Sequence, residues 1–198
     1  MKSTIASAIL SLLILPDYTV ATSLSYSCPS YEELAQPSVN PTSFAIEEFG
    51  GLWNMIATNE PTLPSFCTCS TNDVTVSVST GKYSYINSNK CLGNPMTISI
   101  AGLLSDDPNK PGDLRENLDN PITQLSLKPN MVFHVIRDEQ THKVDVLFTY
   151  ACISSSMYSF NVLSLRNNFT TSEIQDLINE ADTLTNHVMK VTGMRVAN

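Results

Sequence analysis

The sequence predicts an all-β protein, an eight-stranded antiparallel up-and-down barrel with one C-terminal α-helix packed outside it. Three observations support this. About eight strand-like segments follow one another between residues 51 and 165, the clearest of them with apolar and polar residues in alternation. The links between the last of these segments are short, as antiparallel neighbours require. A single segment with helical periodicity then follows the strands.

The first 21 residues have the organisation of a secretory signal peptide. Lys2 supplies a basic start, residues 5–15 are almost wholly apolar, and Thr19 and Ala21 are small residues at the −3 and −1 positions of a cleavage site. Such a run is too short to cross a bilayer, which takes roughly 20 apolar residues. We therefore expect a secreted, extracellular protein with no stable membrane insertion. An uncleaved membrane anchor is the alternative.

Three parts are expected along the chain: the signal peptide (residues 1–21), an N-terminal arm (22–48) and the barrel with its helix (49–198). The arm is rich in Ser, Pro and Glu, and we expect it to be irregular. The mature chain has the size of one ordinary domain.

Charge and residue spacing narrow the classes of function. The formal net charge of −8 argues against nucleic acid as a partner, because phosphates require a basic surface. The pair Cys67-Thr68-Cys69 has no histidine at ligand spacing, so no metal site is predicted, and no cofactor is expected. The histidines are scattered and no paired-carboxylate motif stands out, so we predict no catalytic residue. His134 reaches the barrel interior only if its strand presents the opposite face from the one chosen below.

The strand assignments follow from alternation and from turn residues. In the clearest hairpin, valines alternate with polar residues before a turn at Thr80-Gly81, and tyrosines continue in the return strand. Residues 105–121 are predicted to form a long acidic loop. The predicted strands are 51–59, 74–79, 83–86, 96–104, 122–127, 131–136, 144–152 and 157–165.

A helix is predicted at about residues 170–187. Thr170 and Glu173 form a capping box, in which a hydroxyl and a carboxylate satisfy backbone donors at the start of the helix. Apolar residues then recur at helical spacing and form one stripe that should pack on a sheet. The stripe consists of Ile174, Leu177, Ile178, Ala181 and Leu184. A short final strand is expected near Gly193.

Five cysteines predict two disulfides and one remaining thiol in an oxidising compartment. They are Cys28, Cys67, Cys69, Cys91 and Cys152. With the hairpin turn centred on Thr80, Cys69 faces Cys91 directly, which favours a Cys69–Cys91 bridge. A slip in register would favour Cys67 instead.

Three segments resemble the lipocalin family. Gly51-Leu52-Trp53 resembles the Gly-x-Trp motif that begins the first lipocalin strand. Leu163-Ser164-Leu165-Arg166 resembles the segment ending in the arginine that covers this tryptophan, which implies a cation–π contact between Arg166 and Trp53. Asp138 falls in a turn where the family often has Thr-Asp-Tyr, but here the triplet Arg137-Asp138-Glu139 keeps only part of that motif.

The cysteine context is similar to that of the apolipoprotein D-like subgroup, in which a disulfide ties the N-terminal arm to the barrel. The similar segments are Cys28-Pro29 and Tyr150-Ala151-Cys152. The resemblance implies a Cys28–Cys152 disulfide. It leaves Cys69–Cys91 as the second bridge and Cys67 as the odd thiol.

The resemblance implies a carrier that binds a small hydrophobic ligand inside the barrel, of the fatty acid, sterol, retinoid, carotenoid or bilin class. Because side chains alternate along a strand, one face of each strand is predicted to line the cavity. Alternatively, the same residues fill a closed core or pack under the helix. The candidate ligand-binding residues are Tyr83, Tyr85, Ile98, Ile100, Phe133, Val135, Val146, Phe148, Tyr158 and Phe160.

Two other functions remain open. A free Cys67 inside the cavity would suit a lipocalin-fold enzyme, a thiol isomerase or an epoxide-opening de-epoxidase, although its neighbours offer nothing to lower the thiol pKa. A barrel closed by its own side chains would suit a protein-interaction scaffold. Asn168-Phe169-Thr170 is a glycosylation sequon, so Asn168 is a candidate glycosylation site. The sequence does not predict an oligomeric state.

Overall fold

The strands of the barrel are hydrogen-bonded to their neighbours around a closed ring. The computed structural model describes residues 28–59, 63–117, 128–154, 157–186 and 195–196. The strands are β1 (Gly51–Thr58), β2 (Cys67–Ser77), β3 (Lys82–Cys91), β4 (Asn94–Leu103), β5 (Asp113–Asn117), β6 (Lys128–Arg137), β7 (Val144–Ser154), β8 (Met157–Ser164) and β9 (Arg195–Val196).

The topology is up-and-down, because each strand from β2 to β8 pairs antiparallel with the next. β1 pairs with both β2 and β8, which closes the barrel at eight strands. The predicted barrel is therefore confirmed. The short strand expected near the C terminus is β9, which adds to the free edge of β1 opposite Ala57 and Thr58.

The fifth barrel strand lies where a loop was predicted, so that prediction was wrong. β5 contains one apolar residue, Leu114, between charged neighbours, and its composition resembles that of a loop. Pairing with β4 on one side and β6 on the other satisfies its backbone groups, and Leu114 is fully buried. The strand predicted at 122–127 lies outside the described residues.

The N-terminal arm is partly helical. It contains a short helix, α1 (Tyr31–Leu34), and two 3-10 turns at Pro37–Val39 and Ile46–Phe49. The expectation of an irregular arm was therefore wrong for these three segments. Tyr31 and Leu34 belong to the same apolar core as the strands, so the arm covers the outside of the barrel. The Cys28–Cys152 disulfide implied by the resemblance is present and joins the arm to β7.

The predicted C-terminal helix is confirmed as α2 (Thr171–Leu184). Thr170 is its N-cap, and the capping box with Glu173 is formed in both directions. Ile174 and Ala181 are buried in the core, while Leu177 and Ile178 are partly buried against it. The apolar stripe therefore attaches the helix to the outside of the barrel. In the described part of the chain, no helix is long and apolar enough to span a membrane.

Candidate ligand-binding site

A cavity of about 160 Å³ lies inside the barrel, and every strand from β1 to β8 contributes to its wall. Engineered apolar cavities of about 150 Å³ accept benzene, so this space admits a small organic group. The wall consists of Phe49, Met55, Leu63, Asn72, Val74, Tyr85, Asn87, Met96, Ile98, Ile100, Glu116, Asn130, Thr149, Ala151, Ser159, Asn161 and Leu163.

Aromatic packing closes one end of this cavity. The rings of Phe49 and Tyr83 meet edge to face with centroids 5.8 Å apart. Trp53 is 1% exposed, and its indole N–H donates to the carbonyl of Phe49 at 2.9 Å. The sequence places Phe49 at the end of a 3-10 turn, directly before β1, so the arm supplies the floor of the barrel.

Four polar side chains on β2 and β3 form one hydrogen-bonded group, the amide cluster: Ser70, Asn72, Asn87 and Asn89. The Asn87 amide donates to Asn72 Oδ1 at 2.7 Å and to Ser70 Oγ at 3.3 Å. The Asn89 amide donates to Asn87 Oδ1. Asn89 is 4% exposed, and among the described residues its Oδ1 has no hydrogen-bond partner. Only Asn72 and Asn87 of this cluster are on the cavity wall.

An acidic side chain stands on the wall next to two tyrosines. Glu116 is 7% exposed, and its Oε2 accepts a hydrogen bond from the Tyr85 hydroxyl at 3.0 Å. Tyr83 stacks on Tyr85, and its hydroxyl accepts from the Asn130 amide at 3.0 Å. Burial, and secondarily the charge of Glu116, raise the pKa of Tyr83, so it is a neutral phenol at physiological pH.

The β7–β8 wall is also polar. Thr149, Ser159 and Asn161 face the cavity, and the Asn161 amide donates to Ser159 Oγ at 3.0 Å. The Thr58 hydroxyl donates to Asn161 Oδ1 at 2.6 Å. Because these groups already hydrogen-bond to one another, this wall does not require a hydrogen bond from a ligand. Among the strands, β4 contributes the most apolar residues to the wall, namely Met96, Ile98 and Ile100.

The structure places the ten predicted ligand-binding residues in different surroundings. Tyr85, Ile98 and Ile100 are on the cavity wall. Tyr83 packs between Phe49 and Tyr85 below it. The face proposed for the last strands was wrong, because the residues of β7 and β8 on the cavity wall come from the opposite, more polar face: Thr149, Ala151, Ser159, Asn161 and Leu163. The residues that lie outside the cavity wall are Phe133, Val135, Val146, Phe148, Tyr158 and Phe160.

These displaced residues belong to, or pack against, the apolar core cluster that also contains Tyr31 and Leu34 of the arm and Ile174 and Ala181 of α2. The rings of Phe133, Phe148 and Phe160 lie with centroids 5.6–6.4 Å apart. Tyr158 packs on Tyr150 at 5.7 Å. Val146 is buried in the same core. For these six of the ten predicted residues, the alternative interpretation of packing in the core instead of lining the cavity is the correct one.

Val135 borders a second pocket, the outer pocket, of about 850 Å³ on the barrel exterior. Here the arm, β6 and α2 meet at His134. The Ser38 Oγ lies 2.7 Å from His134 Nδ1, and Glu180 Oε1 lies 3.3 Å from His134 Nε2. The backbone N–H of Val135 also donates to Ser38 Oγ at 3.1 Å. His134 therefore faces outward and links three elements.

The sequence contained a signal for the amide cluster that the prediction did not use. Tyr83, Tyr85, Asn87 and Asn89 alternate along β3, so the face already chosen for the tyrosines also carries the asparagines. Glu116 was missed for a different reason. It belongs to the strand that was predicted as a loop, and nothing in its neighbourhood indicated an inward side chain.

The second disulfide joins Cys67 to Cys91, and Cys69 is the free, exposed thiol. The predicted Cys69–Cys91 bridge was therefore wrong, and the alternative of a register slip is correct. A bulge between Thr68 and Thr71 shifts the register so that Cys67 lies opposite Cys91. The thiol-enzyme hypothesis loses its nucleophile, because Cys67 is oxidised and Cys69 is not on the cavity wall.

The predicted contact between Arg166 and Trp53 was also wrong. The Arg166 guanidinium lies 3.9 Å from the ring centroid of Phe169, and its Nε donates to Asp145 Oδ2 at 2.9 Å. Arg166 therefore braces the connection between β8 and α2. Gly51 does begin β1, with a φ of 138° that favours glycine. Within the described residues, no three His, Cys, Asp or Glu side chains could hold a metal ion together.

Solved structures with this topology include insecticyanin from the tobacco hornworm Manduca sexta. That match has a TM-score of 0.57 at 15% identity and covers 87% of this chain and 86% of that chain. The bovine lipocalin allergen Bos d 2 matches with a TM-score of 0.52 at 10% identity, over 78% of this chain and 95% of that chain. The barrel has the lipocalin fold.

A further lipocalin-fold match is lobster apocrustacyanin A1, with a TM-score of 0.54 at 13% identity over 76% of this chain and 77% of that chain. No protein-family model matches the sequence, and no curated protein sequence matches it. At these identities the comparisons show the fold.

Proposed function

We propose that this chain is a secreted carrier that binds a small, largely hydrophobic ligand in its lipocalin barrel. The observation that carries the proposal is the cavity, which is floored by Phe49 and bordered by an apolar β4 wall. Burying apolar ligand surface there contributes about 25 cal/mol per Å² before the entropic costs of binding. Fatty acids, sterols, retinoids, carotenoids and bilins are the classes that the family resemblance offers.

Export from the cell is part of the same proposal. The predicted signal peptide lies within residues 1–27, outside the described residues. Two disulfides, one within the barrel and one between the arm and the barrel, suit an oxidising compartment. The Cys28–Cys152 bridge also supports placing the chain with the apolipoprotein D-like lipocalins. Asn168 is exposed before α2, and its glycosylation stays a prediction.

The cavity argues against a scaffold whose barrel is filled by its own side chains. The enzyme alternative has no described feature in its favour, since the free thiol lies outside the cavity. Transport of a ligand requires no catalytic residue, because enclosure in the cavity is enough to shield the ligand from water.

The test is native mass spectrometry of the protein purified from secretion medium, followed by organic extraction of whatever is released. We expect a stoichiometric small-molecule passenger. Ala151→Phe should abolish it, because a phenyl group at this wall position occupies the cavity. Ala101→Phe is the matched control, since Ala101 is exposed on β4 and should leave the passenger in place. A protein that carries no passenger and takes up none from lipid and pigment mixtures would contradict the proposal.

A further inference from the structure

The asparagines on the cavity wall differ in whether their amide nitrogens are used. The nitrogens of three of them donate hydrogen bonds to described neighbours: Asn87, Asn130 and Asn161. Asn72 uses its carbonyl oxygen, which accepts from Asn87, but in the described part of the chain its Nδ2 has no acceptor. The wall therefore offers a free amide donor at Asn72.

The neighbours of Asn72 determine which way its amide is turned. Asn87 Nδ2 lies 3.5 Å from the backbone carbonyl oxygen of Thr71, which can only accept, so the atom of Asn87 at this point is its nitrogen. The atom of Asn72 that receives this N–H at 2.7 Å is therefore its oxygen. The nitrogen of Asn72 is the group left to meet a ligand.

Strand pairing holds Asn72 in place from both sides. In β2 it lies opposite Trp53 of β1 and Asn87 of β3. Asn72 is 7% exposed and belongs to the cavity wall. A nearly buried donor without a partner is destabilising, and a ligand oxygen would supply the missing acceptor. Because the backbone is fixed by its two neighbouring strands, little ordering is needed when a ligand binds to this donor.

We infer that the polar end of the ligand is a neutral carbonyl oxygen that accepts a hydrogen bond from Asn72 Nδ2. This inference rests on the proposed carrier function and narrows its ligand class. The apolar body of the ligand would lie against the β4 part of the same wall. A neutral amide donor matches the oxygen of a ketone, aldehyde or amide, whereas a buried carboxylate needs a cationic partner or several donors.

The test uses two probes of nearly the same shape, acetophenone and α-methylstyrene, which differ in a carbonyl oxygen against a terminal methylene. Each carries a benzene ring, the size of group that a cavity of this volume admits. Sealed equilibrium dialysis of the full-length secreted protein, after delipidation and at neutral pH, gives their affinities. Because the alkene reports the burial of the same apolar body, the acetophenone-to-α-methylstyrene affinity ratio isolates the hydrogen bond.

Two variants make the inference specific. Asn72→Val removes the donor and introduces a residue that suits a strand. We expect this variant to lower the affinity ratio at least about fivefold, a difference of about 1 kcal/mol, because the ketone oxygen is then buried without a donor. Asn167→Val is the control, since it makes the same change at an exposed position between β8 and α2 and should leave the ratio as it is. An unchanged ratio in Asn72→Val would overturn the inference.

The infrared C=O stretch of bound acetophenone, isotope-labelled at the carbonyl carbon, gives a second measurement that needs no variant. A hydrogen bond to the oxygen lowers the frequency of this stretch. We therefore expect a lower frequency in the protein than in cyclohexane, where no donor is present. Equal frequencies in the two surroundings would overturn the inference even if Asn72→Val fails to fold.

Other outcomes separate this inference from the carrier proposal. If both probes bind with a ratio that does not depend on Asn72, or if benzoate binds more tightly than acetophenone, the inference fails and the proposed function stands. No measurable binding of any probe, together with purified protein that carries no passenger, would overturn both.

Discussion

One residue, Cys69, shows how a local backbone conformation decides the chemistry of the cysteines. Its φ of 51° lies in the left-handed region, within the bulge that interrupts the pairing of β2 with β3. The bulge leaves Cys69 exposed and brings Cys67 opposite Cys91, with their Cα atoms 4.0 Å apart. The pairing thus depends on one extra residue in a strand.

Cys69→Ser should leave both disulfides and the free energy of unfolding essentially unchanged. Cys67→Ser should cost about 3 kcal/mol, because it opens a loop of 24 residues in sequence separation. Alkylation under denaturing, non-reducing conditions, followed by mass spectrometry, counts the thiols. We expect one in the native protein, none in Cys69→Ser and two in Cys67→Ser. The reverse pattern would restore the Cys69–Cys91 pairing.

At the scale of elements, the β4–β5 pair depends on a close approach. A Cβ at Gly102 would lie 2.3 Å from the carbonyl oxygen of Arg115 and 2.4 Å from the Tyr83 ring. The missing side chain therefore lets β5 and the buried tyrosine reach β4. Because β5 carries Glu116, this contact also positions the acid of the cavity.

Gly102→Ala should destabilise the protein by about 1–3 kcal/mol, since the added methyl must displace backbone or a buried ring. Urea unfolding, followed by tryptophan fluorescence of Trp53, measures the change. Ala101→Val is the control at the neighbouring exposed position, with an expected effect within about 0.5 kcal/mol. Equal midpoints for the native protein and Gly102→Ala would contradict the close approach.

Strand alternation predicted most elements but chose the wrong face of β7 and β8. Phe148 and Phe160 stand out in the sequence because each belongs to an alternating series of apolar residues, Val144, Val146, Phe148 and Tyr150 in one strand and Tyr158, Phe160 and Val162 in the next. In the barrel neither face of these strands is exposed to bulk solvent. The inner face lines the cavity, and the outer face belongs to the core that the arm and α2 share. The more apolar face packs into the core, and the more polar face lines the cavity. Periodicity alone cannot distinguish these two kinds of burial.

At the scale of the whole molecule, His134 links the arm, the barrel and the C-terminal helix. It contacts Ser38 of the arm and Glu180 of α2, and its ring lies 5.1 Å from that of Phe148 on β7. Arg137, His142 and Glu48 are the other ionisable groups around the outer pocket. Burial lowers the pKa of His134, and the opposing attraction of Glu180 is the smaller effect.

A lowered pKa in the folded state makes the protein less stable in acid. Below about pH 6.5 the unfolded chain takes up a proton that folded His134 resists, so the free energy of unfolding falls as pH decreases towards the folded pKa. We expect His134→Gln to reduce the loss of stability between about pH 7.5 and about pH 5.5. Urea unfolding at a series of pH values measures it.

The matched control for this prediction is His142→Gln, which removes an exposed histidine from the β6–β7 turn. An equal effect of the two substitutions would show that His134 is not the group responsible. A steeper pH dependence in His134→Gln would reverse the predicted sign.

Spacing between residues close in sequence was enough to predict the strand-rich barrel, the capped helix that follows it and the tyrosine face of β3. Resemblance to a family added the Cys28–Cys152 bridge. Three features became apparent only in the folded protein: the strand at Asp113–Asn117, the register that pairs Cys67 with Cys91, and the inward face of β7 and β8. Each of these depends on a partner distant in sequence: a strand that supplies hydrogen bonds, a bulge that shifts register, and a helix that covers a surface. Local periodicity cannot predict such partners, because it reflects only residues that are close in sequence.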